Sequence, residues 1–132
     1  MTVSGPDPDR VAREERGRLS EHLAAGYLML HGYRILARRH RTPFGEIDII
    51  AQRGKRIAFV EVKYRRTRNA AEAALKTKQA QRVVRAAQHY VSRYPAYSEC
   101  EQGFDAIFIL PWSRPIWVAD AYQPVGTSGR ML

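Results

Sequence analysis

The sequence predicts an α/β domain, a mixed central β-sheet flanked by helices, with its elements in the order α-β-β-β-α-β-β. Three observations carry this expectation. Helical periodicity runs from about Arg10 to His31 and again from about Ala70 to Tyr94. Two short β-branched runs, Ile47-Asp-Ile-Ile-Ala51 and Ile57-Ala-Phe-Val-Glu-Val62, are apolar on both faces and so suit central strands. Gly32, the Thr42-Pro-Phe-Gly45 stretch and Pro95 punctuate these segments.

In the first helix Leu19, Leu23, Tyr27 and Leu30 form one apolar stripe and Ala25 and Leu28 another, which predicts wide burial of its second half. Gly32 suits a C-terminal cap, and Tyr33–Ala37 reads as a strand. The two central runs are joined by Gln-Arg-Gly-Lys-Arg, a hairpin signal. The long helix places Ala80, Val83, Ala87, Tyr90 and Tyr94 inward and stops at Pro95, and Phe104–Leu110 and Ile116–Tyr122 supply two more strands.

The chain has 132 residues, which fits one core. The expected division is a single domain over 10–125 between loose tails at 1–9 and 126–132. Lys and Arg number 22 against 13 Asp and Glu, so the net charge of +9 points to a polyanion, with nucleic acid the natural partner. No basic amphipathic helix with bulky apolar residues, lipidation signal or long apolar run suggests a membrane. Cys100 is the single cysteine and the N-terminus has no apolar signal region, so a reducing cytoplasmic location is expected. The four histidines lack zinc-site spacing, and the glycines form no phosphate loop.

Asp48 interrupts one apolar strand, and Glu61 and Lys63 end the other. Charges in such strands need partners, because burying an unpaired carboxylate or ammonium is costly. If the hairpin turns at Gly54-Lys55, pairing is symmetric about that bond and Asp48 lies opposite Glu61, with Cβ atoms about 5 Å apart on one face. Lys63 then follows on the same face. Two such carboxylates repel each other, and Mg²⁺ or Mn²⁺ would relieve that repulsion, with the Val62 backbone carbonyl as a further ligand. Glu21, on the face of the first helix shared with Ala25 and Leu28, is a third candidate carboxylate for metal and catalysis, although a solvated Glu beside Ser20 and His22 is the plainer reading. The set suits phosphodiester hydrolysis, with Lys63 orienting water or stabilising the transition state.

Gly45-Glu-Ile-Asp-Ile-Ile50 followed by Phe59-Val-Glu-Val-Lys-Tyr-Arg65 resembles the YraN-like family of uncharacterised bacterial proteins, which is related to restriction-endonuclease-like PD-(D/E)XK nucleases and archaeal Holliday-junction resolvases. The resemblance extends from about Gly17 to Leu110 and takes in Leu19-Ser-Glu-His-Leu-Ala24, Gly32-Tyr-Arg-Ile-Leu36 and Phe104-Asp105. It implies a restriction-endonuclease-like core, metal roles for Asp48 and Glu61, a catalytic role for Lys63, a supporting role for Glu21 and, by analogy with resolvases, a homodimer. A bare D…ExK match is weak, whereas the GEID…FVEVK pair at this spacing is specific. Two positions depart from the pattern: Arg39, where the family often has Asn, and Gly103, where it often has Arg.

Arg38, Arg39 and Arg41 precede the first site strand, and Tyr64, Arg65, Arg66 and Arg68 follow the second, so both groups are candidates for holding a nucleic-acid backbone. Lys76, Lys78, Arg82 and Arg85 read as the exposed face of the long helix, with Lys76 and Lys78 near enough to its start to be phosphate candidates. The leading expectation is a Mg²⁺- or Mn²⁺-dependent endonuclease acting on duplex or branched DNA, with DNA favoured over RNA. The rivals are a binding module that keeps the fold without cutting and an assembly factor that binds RNA or an acidic protein.

Overall fold

The computed structural model describes residue 5, residues 7–75 and residues 80–122. Helix α1 (Pro8–Leu30) starts where the Asp7 carboxylate accepts the Asp9 N–H at 3.1 Å, with Pro8 supplying a preset φ in the first turn. Helix therefore reaches into the expected tail at 1–9, of which residues 1–4 and 6 lie outside the described residues, as does all of 126–132. At its other end Gly32 adopts φ +85°, and the Gly32 and Tyr33 N–H groups bond back to Met29 and Leu28, each at 3.0 Å. Tyr33 and Leu28 share one core cluster, which completes the cap.

Of the two apolar stripes that periodicity predicts on α1, the sheet buries that of Ala25 and Leu28 and leaves most of the leucine stripe exposed, so burial is narrower than expected. Ser20, Ala24, Ala25 and Leu28 face the sheet, while Leu19 is 57% exposed, Leu23 48% and Leu30 85%. Small side chains let the helix backbone lie close to the flat surface of the sheet, and that close approach decides the face.

Strands β1 (Arg34–Thr42), β2 (Gly45–Arg53) and β3 (Arg56–Tyr64) form an antiparallel meander. Helices α2 (Arg68–Leu75) and α3 (Ala80–Arg93) and a 3₁₀ turn (Pro95–Tyr97) lead to β4 (Glu101–Ile109), which pairs parallel with β3, and β5 (Ile116–Val118) closes the order β1-β2-β3-β4-β5. The expected mixed α/β sheet is present. The single long helix expected from Ala70 to Tyr94 is described as α2 and α3, with 76–79 outside the described residues, and Tyr94 is half exposed rather than inward.

β1 runs five residues beyond the expected end at Ala37, because an edge strand needs backbone partners more than apolar side chains: Arg38, His40 and Arg41 pair with Ile49, Ile47 and Glu46. β5 is shorter than expected. After Val118 the chain turns through Asp120, at φ +54°, so that its N–H reaches the Asp105 carboxylate at 2.9 Å.

The sheet carries a core on each face. Ile49, Ala51, Ala58, Val60 and Ile107 pack under α1, and Ile50, Ile57, Phe59, Phe104 and Phe108 pack under α3 through Val83, Ala86, Ala87 and Tyr90. β2 and β3 are thus buried on both sides, as their composition predicts. No described helix is long and apolar enough to cross a membrane.

Candidate metal-ion and nucleic-acid site

The β2–β3 hairpin turns on Gly54 and Lys55, with Gly54 at φ +56° in the first central position. Arg53 pairs with Arg56, and the register continues unbroken to Ile49 opposite Val60. The next step outward is Asp48 and Glu61. There the regular ladder ends, and Asp48 Oδ2 accepts the Val62 N–H at 2.8 Å. A side chain thus takes the place of a strand partner where the two backbones part.

Burial pushes the Asp48 carboxyl up to about 6, against its ordinary 3.8; the Val62 N–H pulls it down, and the Glu61, Glu21 and Glu46 carboxylates raise it further. Negative charge therefore gathers around Asp48. Glu61 lies on the next strand, half-buried, with Oε1 3.1 Å from Arg82 Nη2 and 3.8 Å from Lys63 Nζ. Its Oε2 and the neighbouring Tyr122 hydroxyl are both buried, and the two side chains face each other as hydrogen-bond partners of strained geometry. Burial raises the Tyr122 phenol, and the Glu61 and Asp48 carboxylates act in the same direction.

Glu21 reaches the site from α1 but is tied to Arg39, Oε2 to Nε at 2.6 Å. Among the described residues no three of His, Cys, Asp and Glu form a ready cage for a metal ion. The donor set is instead Asp48, Glu61 and the Val62 carbonyl. That chemistry fits Mg²⁺ or Mn²⁺, which take one or two carboxylates and keep several waters. It does not fit zinc, which prefers nitrogen and sulfur ligands.

The basic residues divide by environment. Arg38 Nη1 lies 3.1 Å from His22 Nδ1, and Arg41 is exposed with its Nε 3.6 Å from Glu46. Arg39 holds φ +50°, a left-handed conformation in which Asn is far commoner than Arg. Arg65 is anchored: its N–H bonds to the Ile109 carbonyl at 3.0 Å and its Nη1 to the Tyr64 carbonyl at 2.7 Å. Arg66 and Arg68 are exposed, while Lys76 and Lys78 lie outside the described residues. Arg16 of α1 sits 5.6 Å over the Tyr64 ring, a cation–π contact on the ring that the sequence offers for base stacking. An open cleft of about 530 Å³ lies beside the site, lined by Glu14, Gly17, Arg18, Glu21, Arg39, Arg41 and Glu46.

Two groups escape the sequence reading. Arg82 reads as part of an exposed helix face, yet its guanidinium bonds Glu61, a contact across more than twenty residues that periodicity does not register. Asp105 is fully buried on β4 and gathers Arg56 Nη1 and Nη2 at 2.9 and 2.8 Å, Trp117 Nε1 at 3.0 Å and the Asp120 N–H. Its signal, a lone charge inside Phe104–Leu110, is the one that singles out Asp48. Gly103 makes room for this cluster, since a Cβ there would collide with the Arg56 guanidinium.

The profile of Uncharacterised protein family UPF0102 matches residues 20–109. Similar chains include UPF0102 proteins of Bradyrhizobium diazoefficiens (49% identical over 116 residues, 88% of this chain and 87% of the relative) and Mesorhizobium japonicum (46% over 117 residues, 89% and 94%). A UPF0102 protein of Nitrobacter winogradskyi is 47% identical over 114 residues, 86% of this chain and 97% of the relative. The matched region takes in Glu21, Asp48, Glu61, Lys63 and Arg82.

Proposed function

We propose that this chain, which belongs to the UPF0102 family, is a Mg²⁺- or Mn²⁺-dependent endonuclease of restriction-endonuclease-like type that hydrolyses phosphodiester bonds in DNA. The observation that carries the reading is the hairpin register, which sets Asp48 beside the strand of Glu61 and Lys63 and keeps both carboxylates in a largely buried setting. Two largely buried carboxylates close to each other are costly, and a hard cation is a partner their chemistry suits.

When bound, such an ion supplies positive charge at the phosphate and makes water a better nucleophile near neutral pH. The protein's own groups do the rest. Asp48, fixed by Val62 N–H, and Glu61 hold one face of the ion site. Lys63, on the strand face of Glu61, is placed to give up its 3.8 Å contact and either orient the attacking water or meet charge developing on the phosphate. Arg38, Arg41, Arg66 and Arg68 are placed to hold the backbone on either side without reading sequence.

One observation favours the rival, a binding module that does not cut: the carboxylates already have cationic neighbours, Arg82 and Lys63 for Glu61 and Arg39 for Glu21. Incubating the wild type, Asp48→Ala and Lys63→Ala with linear, nicked, flapped and four-way-junction DNA in Mg²⁺ or Mn²⁺ separates the two. Loss of at least about 100-fold in cleavage rate in both variants is expected. Equal activity in wild type and variants assigns the cutting to a contaminant. Salt-sensitive DNA binding without cutting selects the binding module, and preference for RNA selects the assembly factor.

A further inference from the structure

One side chain from α3 reaches into the site. Arg82 Nη2 lies 3.1 Å from Glu61 Oε1, the oxygen that Lys63 also approaches, at 3.8 Å. The stem of Arg82 lies over Gly45, where a Cβ would meet its Cγ and Cδ at 3.0 Å. Gly45 opens β2 three residues before Asp48, at φ +135°, so the stem is seated against the strand that carries the first carboxylate. The side chain is nevertheless half exposed, and a packed stem with a solvated head lets the head change partners without unpacking the helix.

Two cations on one carboxylate oxygen are a charge arrangement suited to a site that holds no metal ion. A divalent cation taken up by Asp48 and Glu61 would lie close to the guanidinium now bonded to Glu61, and like charges at that range repel strongly in a partly buried setting. The head that leaves Glu61 remains half exposed next to the carboxylates as a planar fork of donors, the geometry that matches a phosphate.

We propose that Arg82 is an exchangeable counter-ion of the site. It neutralises Glu61 in the ion-free protein and turns to a DNA phosphate when a divalent ion takes the carboxylate. This rests on the nuclease reading above and adds to it an order of events: ion uptake releases the arginine that helps to hold the substrate.

The test uses the full chain and Arg82→Met, which keeps an apolar stem over Gly45. Mn²⁺ titration by calorimetry should show the variant binding the ion about 5- to 10-fold more tightly than wild type. In Ca²⁺, the variant should bind a short DNA duplex about 10-fold more weakly, with a salt dependence shallower by about one phosphate contact. Arg82→Lys, which restores a cation, should return Mn²⁺ affinity most of the way to the wild-type value. Unchanged Mn²⁺ affinity in Arg82→Met, unchanged DNA affinity, or weakening of both together overturns the proposal. Absence of Mn²⁺ uptake by the wild type removes the nuclease reading itself, before any variant is compared.

Discussion

The Asp48 carboxylate accepts the backbone N–H of Val62 at 2.8 Å, at the point where the β2–β3 ladder ends. The contact joins the second acidic position of the GEID segment to the strand of Glu61 and Lys63, and it holds a carboxyl group that burial would otherwise keep neutral.

That competition makes stability depend on pH. The Asp48 carboxyl stands near 6 in the folded chain against 3.8 ordinarily, so between these values the folded state binds more protons than the unfolded one. The stabilising contribution is full below about pH 4, declines as pH rises through 6 and is gone above it. A shift of this size corresponds to at most about 3 kcal/mol, and partial solvation lowers the expectation to about 1–2 kcal/mol. Asp48→Asn removes the titration and keeps an oxygen that can accept from Val62. Urea unfolding of both proteins at pH 4.5 and 7.5 should show the variant gaining on wild type by that amount at the higher pH. Parallel pH profiles would show that Asp48 titrates in the folded state as it does in the unfolded chain.

The Asp105–Arg56 cluster should behave as structure rather than chemistry. Asp105 is fully buried and receives both guanidinium nitrogens, the Trp117 indole and the Asp120 N–H. Its removal strands the Arg56 charge, so Asp105→Ala should cost about 3–5 kcal/mol by chemical denaturation. Replacing both partners, with Arg56→Met added to Asp105→Leu, should recover much of that loss. Recovery of nothing would mean that the Trp117 and Asp120 contacts, rather than the ion pair, carry the cost.

The hairpin register was legible in the sequence because it rests on local rules: a glycine free to take positive φ at a two-residue turn and a side-chain period of two. Together they fix the pairing from Arg53–Arg56 to Ile49–Val60; one step further, where Asp48 is expected opposite Glu61, the ladder ends and Asp48 takes the Val62 N–H instead. Arg82 was illegible for the opposite reason. Its bond to Glu61 depends on how far α3 is rotated over the sheet, and a basic residue on a polar helix face looks the same with or without such a partner. Asp105 was readable by the rule applied to Asp48, but its partner Arg56 sits at a hairpin end, where a charge calls for no explanation. The face of α1 is only half legible because two apolar stripes compete there, and size is a poor guide to which one meets a sheet.

That choice of face makes the sharpest demand on stability measurements. If α1 meets the sheet through Ser20, Ala24 and Leu28, the larger residues Leu23 and Leu30 contribute little to folding. Leu23→Gln and Leu30→Gln should each change the unfolding free energy by no more than about 0.5 kcal/mol, the ordinary range for exposed positions. Leu28→Ala should cost about 2–5 kcal/mol through lost burial and the cavity left behind. Ala24→Leu should cost about 1–3 kcal/mol, because a larger side chain would push the helix off the sheet. The last substitution separates the two faces most cleanly: on an exposed face it would cost no more than a few tenths of a kcal/mol in helix propensity, whereas here it must meet Ile49 and Val60 in the same cluster. A neutral Ala24→Leu together with a costly Leu30→Gln would mean that α1 is rotated toward the leucine stripe, and Glu21, one residue along from Ser20, would then leave its place beside Arg39.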